Sequence, residues 1–202
     1  MKYILWSLIL CLLLCGCSAA APGTSIPATT APIQTTVPTQ TTAPREVFLE
    51  VMREGELSQI PAVMVDTGIG SYTIAMDESY FVHKGAEGLD EFLYEGWEDS
   101  QPVGYSIGIY VPGASSFEAQ MQENYGKLYA SCSTGKETTI AGYPATELVF
   151  QGLLEDPSYY RHCFLVHCDT VAYEIQVTFT QEMYEGLYPI IRASLDTLTP
   201  LQ

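Results

Sequence analysis

Three regimes of apolar and polar positions divide the chain. From Ile4 to Leu14 apolar residues run almost unbroken, interrupted only by Ser7, and Lys2 stands ahead of them. The run is shorter than the ~20 residues a membrane-spanning helix needs, and a basic start before a short apolar stretch has the form of a secretory signal. From Ser18 to Pro44 neither an aromatic nor a charged residue occurs, only Thr, Pro, Ala and their like in near-repeats such as Ala28-Thr29-Thr30-Ala31-Pro32. From residue 46 the pattern becomes strand-like alternation with helical stripes between.

Val47–Met52 and Ile60–Val65 read as paired strands around Glu54-Gly55-Glu56, and Tyr72–Met76 continues the meander after Gly68-Ile69-Gly70. Asp77 to Trp97 is irregular, with one short strand expected at Phe92–Tyr94. Tyr105–Val111 is a strand ended by Pro112-Gly113. Ser115 and Glu118 stand at capping-box spacing, and Phe117, Met121, Tyr125, Leu128 and Tyr129 share one helical face. Strands follow at Thr138–Ala141 and, after Gly142-Tyr143-Pro144, through Phe150. The clearest hairpin pairs Tyr160–Cys168 with Val171–Phe179 across Asp169-Thr170. It puts Tyr160, His162, Phe164 and Val166 on one face with Tyr173, Ile175, Val177 and Phe179. A last amphipathic helix is expected over about Gln181–Thr197, with Pro189 kinking it or marking its true first turn. The order predicts an α+β fold: an antiparallel sheet of about six to seven strands flanked by two main helices.

Two resemblances organise these elements. Leu14-Cys15-Gly16-Cys17 resembles the lipobox of bacterial lipoproteins. That resemblance implies diacylglyceryl transfer to the Cys17 thiol, cleavage before Cys17, and a cell-membrane anchor facing the extracytoplasmic side. At about 0.8 kcal/mol per buried CH₂, two or three acyl chains would hold stably where one would not. The segments Tyr72-Thr73-Ile74, Pro112 before the Ser-capped helix, Ile140 to Ala145, Tyr173-Glu174-Ile175 and Ile191 to Leu195 resemble PsbP-like domains over roughly 70–200. Relatives of that kind are mostly non-catalytic binding or assembly modules. The domain plan expected is a signal segment over 1–16, then the lipidated Cys17 and a disordered tether over 17–45. A PsbP-like domain over 46–202 follows, with 46–69 as an added β-hairpin. The tether cannot bury enough area to offset chain entropy, and its prolines favour an extended stalk reaching up to roughly 80 Å.

Composition narrows the partners. The formal net charge of −16 becomes −17 once Lys2 leaves with the signal. Such a chain is expected neither to bind nucleic acid nor to lie on anionic lipid. The membrane is expected as a partner only through the lipid on Cys17, together with an envelope protein or glycan. The acidic set Glu87, Asp90, Glu91, Glu95, Glu98 and Asp99 has no calcium-loop spacing and reads as a solvated face.

Candidate chemistry is sparse, and no catalytic residue, metal or cofactor is assigned. Val65-Asp66-Thr67-Gly68 resembles an aspartic-protease half-site, which would have to dimerise to bring two carboxylates together. Ile69 stands where that family carries Ala or Ser, so an ordinary turn competes with a dimeric enzyme using Asp66. Gly104-Tyr105-Ser106-Ile107-Gly108 matches the nucleophile-elbow pattern but sits inside a strand. His162, Cys163, His167 and Cys168 have ligand chemistry, yet alternation sends them to opposite faces. On a straight strand Cys163 and Cys168 would lie about 16 Å apart, so any disulfide joins Cys132 to Cys163 or to Cys168. Tyr80, Phe81, Phe92, Tyr94 and Trp97 gather in the irregular stretch as a candidate binding surface, and a structural surface lipoprotein without a discrete ligand is the third reading.

Overall fold

The computed structural model describes residues 45–69, 71–97 and 101–201. The signal segment, Cys17 and the Thr/Pro tract as far as residue 44 lie outside the described residues. The strands β1 (Glu46–Arg53) and β2 (Glu56–Asp66) form a hairpin in full register, turned at Glu54 and Gly55, both at positive φ. Then come β3 (Tyr72–Met76), β4 (Phe81–Ala86), β5 (Leu89–Tyr94) and β6 (Gly104–Ile109). Helix α1 (Phe117–Tyr125) leads to β7 (Tyr129–Cys132), β8 (Lys136–Ile140) and β9 (Tyr143–Leu153). The pair β10 (Tyr159–His167) and β11 (Ala172–Thr180), a 3₁₀ turn at Gln181–Met183, helix α2 (Tyr188–Leu195) and β12 (Thr199–Pro200) complete the order.

The fold is α+β and its described pairings are antiparallel. Its strands make two sheets rather than one of six or seven. One has four strands in the order β1-β2-β3-β12. The other has eight, in the order β4-β5-β6-β11-β10-β9-β7 with β8 beside β9. Two local reasons account for the extra strands. Asp77–Trp97 looked irregular because Asp90 breaks the apolar alternation of β5. It nevertheless points inward, fully buried, between the core positions that alternation assigns. Tyr129, expected on the α1 stripe, starts β7 instead, because Gly126 caps the helix.

The β10–β11 hairpin has the expected register, with Phe164 opposite Ile175 and Val166 opposite Tyr173. One face of this sheet carries α2 and the small sheet. There Ser194 on α2 meets the Tyr105 hydroxyl at 2.7 Å and donates to the Ala75 carbonyl, while Thr197 accepts from the Ala75 N–H. Tyr72 and Tyr173 pack edge to face, joining β3 to β11. Burying rings and branched chains of this size stabilises by roughly 1.5–3 kcal/mol each. The other face carries α1, whose Tyr125 ring meets Phe150. Ser116, not Ser115, caps α1 through a bond from the Ala119 N–H. Pro189 marks the first turn of α2, so the last helix is half its expected length. No helix among the described residues is long and apolar enough to cross a membrane.

Candidate functional site

The sequence-chosen residues scatter. Phe81 and Phe92 are not surface groups: both are core side chains, and Phe92 stacks flat on Tyr105 with centroids 4.5 Å apart. Tyr80 and Tyr94 stack on each other, half-buried, and the Trp97 Nε1–H donates to the Gln101 carbonyl and the Tyr159 hydroxyl. Tyr94 and Trp97 nevertheless line an open cavity with Lys84 and Glu95.

Asp66 is exposed at the end of β2, paired with Thr73. The Asp-Thr-Gly turn owes its shape to Asp90, not to Asp66. The Asp90 carboxylate accepts from the Gly68 N–H at 2.9 Å and the Tyr72 hydroxyl at 3.1 Å, and meets His83 Nε2 at 2.8 Å. Gly68 packs closely here: a Cβ there would stand 3.1 Å from the Gly85 Cα and 3.2 Å from Asp90 Oδ1, so either neighbour would have to shift by a few tenths of an ångström. Asp90 therefore leaves the acidic surface set and becomes a buried anchor.

Ser106 lies mid-strand opposite Gln176, with no strand-to-helix elbow around it. Cys132, Cys163 and Cys168 are free thiols, so the structure contains no Cys132 bridge to either partner. Burial pushes the Cys163 thiol up to about 12. No group of three or more His, Cys, Asp or Glu converges among the described residues.

What the fold does assemble is an aromatic groove at the outer corner of the large sheet. Alternation on β10 puts Tyr160 and His162 on the α2 side, beside Phe179 of β11. Tyr184 and Tyr188, four residues apart across the start of α2, face them. Tyr160 stacks on Phe179 at 6.0 Å and Tyr184 on Tyr188 at 5.4 Å, while His162 sits 5.0–5.2 Å from both Tyr188 and Phe179. Two overlapping cavities of about 520 and 590 Å³ open over this cluster, sharing Ser133, Val149, His162 and Tyr184.

Glu147 on β9 reaches the same corner. Its carboxylate accepts from His162 Nδ1–H at 2.7 Å, which fixes the tautomer and turns Nε2 away from Glu147. That bond holds the Glu147 carboxyl below its usual range, and burial drives the Tyr188 phenol up, keeping it a neutral donor. The Ser133 hydroxyl accepts from the Val149 N–H at 2.9 Å, and no bond joins it to His162. The corner therefore offers aromatic faces, a half-exposed Tyr184, an oriented imidazole, a carboxylate and amides from Gln151 and Gln181. It suits binding of a ligand that is apolar on its faces and hydroxylated at its edges.

Sequence reasoning placed Tyr160 and His162 on one face but not Glu147, Tyr184 or Tyr188. The available signal was the Tyr184–Tyr188 spacing, which puts both rings on one side of a helical turn.

No protein-family model matches the chain, and no curated protein matches it. Among solved structures, one similar chain is a Pseudomonas aeruginosa protein of unknown function. It is 14% identical at a TM-score of 0.37, over 61% of this chain and 99% of that one.

Proposed function

We propose that this chain is a lipid-anchored, extracytoplasmic lipoprotein with a PsbP-like domain that acts as a non-catalytic binding module, holding cell-wall glycan in the aromatic groove. The anchoring rests on Leu14-Cys15-Gly16-Cys17 and the uncharged Thr/Pro tract that follows it. Labelled palmitate should enter the wild-type protein and not a Cys17→Ser variant; equal labelling of both would refute the anchor.

The observation that carries the binding reading is the exposed Tyr184 ring beside the half-buried Tyr160 and Tyr188, backed by the buried Phe179 and flanked by Glu147 and His162. Aromatic faces take the C–H faces of sugar rings, while a carboxylate, imidazole and amides take their hydroxyls. A strongly acidic chain gains nothing from general charge attraction to an anionic wall, so contact by ring faces is the mode left to it. Co-sedimentation with purified cell-wall glycan tests this. Tyr184 is 50% exposed, so Tyr184→Ala leaves the core intact, and binding should fall about fivefold or more. Sedimentation unchanged by that substitution, or none in the wild type, would remove the groove from the account.

A further inference from the structure

A second site lies on the opposite face of the large sheet, and nothing in the glycan reading uses it. Its centre is Arg161 on β10, a largely buried cation in a chain dominated by acids. Every partner of its guanidinium is neutral. Nε donates to the Tyr129 hydroxyl at 3.2 Å, Nη1 donates to Gln176 Oε1 at 2.6 Å, and the Tyr125 ring lies beneath at 4.4 Å. Arg161 forms no ion pair among the described residues, and Nη2 has no acceptor there, although the group is not sealed from its surroundings. Glu174, the adjacent acid, is held by the other end of Gln176, whose Nε2 donates to it at 2.6 Å. Withdrawing a cation from water without a carboxylate is costly unless something compensates it.

A cavity of about 280 Å³ opens beside this guanidinium. Its β5 wall carries Glu91 with Leu89 and Leu93 beside it, Val103 adds to this apolar side, and Ser106 and Thr178 lie on the sheet between Glu91 and the guanidinium. Register aligns Glu91 with Ser106 and Ser106 with Gln176, so the acid and Gln176 lie along one row of the sheet, with Arg161 in the neighbouring row opposite Thr178. Gln176, on which the guanidinium rests, is two strands from Glu91, or about 10 Å at ordinary strand spacing. A cation at one end and, at the other, an anion flanked by Leu89 and Leu93 suit a zwitterion with a greasy side chain. Both charged groups line the same small cavity, so one α-amino acid can meet both. We infer that this cavity binds a free apolar α-amino acid, its carboxylate on Arg161 and its ammonium on Glu91.

Calorimetric titration of the full-length protein in mild detergent tests the assignment with L-leucine, N-acetyl-L-leucine and L-leucinamide as probes. Leucine should bind, and the two singly charged analogues should bind about tenfold more weakly or worse, since each leaves one charged wall unpaired. Arg161→Met should abolish leucine binding in protein that still melts cooperatively. Should that variant fail to fold, Glu91→Gln at its half-buried site carries the test, and it should erase the preference for leucine over N-acetyl-leucine. No binding by any of the three compounds, equal binding of all three, or leucine binding unaltered in Glu91→Gln would overturn the assignment. Because this cavity and the groove lie on opposite faces, loss of leucine binding with glycan binding intact separates the two readings.

Discussion

His162 sets the chemistry of the groove's inner end through its hydrogen bond to Glu147. Beside Cys163, His167 and Cys168 it suggested a metal ligand. In place, it is 8% exposed, its Nδ1 committed to Glu147 and its ring packed between Phe179 and Tyr188. The pairing has a pH consequence. The Glu147 carboxyl sits below the ordinary glutamate value of about 4.5 chiefly through the hydrogen bond from His162, and burial works against that lowering. A carboxyl with a lowered folded pKa contributes stability that is fully present above the unfolded pKa and is lost as pH falls through the folded one. The melting temperature should therefore drop as pH falls below 4.5, and Glu147→Gln should flatten that acid limb while lowering the plateau near neutrality. Melting curves between about pH 7 and pH 3 check this, and an identical acid limb in the variant would contradict it. Asp90 gives the complementary lesson. Its neighbours in sequence are acidic, which argues for water, but its neighbours in space are the Gly68 N–H, Tyr72 and His83, which argue for burial.

At the scale of elements, the parts legible in advance were those whose pattern is local. Alternation across β10 and β11 determined both faces, and the register places Tyr160 opposite Phe179 and His162 opposite Val177 as that alternation requires. Of the β4–β5 hairpin only Phe92–Tyr94 was legible, because its inward polar position, Asp90, is satisfied in part by groups from β3 and from the turn after β2, far from it in sequence. The end of α1 and the length of α2 were missed for a related reason. Apolar spacing continues past Gly126 and before Pro189, but the backbone does not. The hairpin β1–β2, read as an addition to the domain, joins β3 and β12 in one sheet and sends Leu49, Val51 and Ala62 into the common core. The groove was half legible. The strand residues Tyr160 and His162 could be assigned a face, but Glu147 arrives by pairing of β9 with β10, and Tyr184 and Tyr188 arrive by the path of the chain after β11.

At the scale of the whole molecule, the anchor we propose at Cys17 would hold a domain with a recessed aromatic corner. The two faces of the large sheet then carry separate chemistry: ring faces and a His–Glu pair on one, an uncompensated Arg on the other. On the proposal above, the groove is where the wall is held. The most direct measurement is backbone amide NMR of the full-length protein in detergent during titration with soluble cell-wall glycan strands. The account predicts shifts concentrated at Ser133, Val149, His162 and Tyr184, the residues common to the two overlapping cavities. Shifts that gather instead around Tyr94 and Trp97, or no shifts at all, would contradict it.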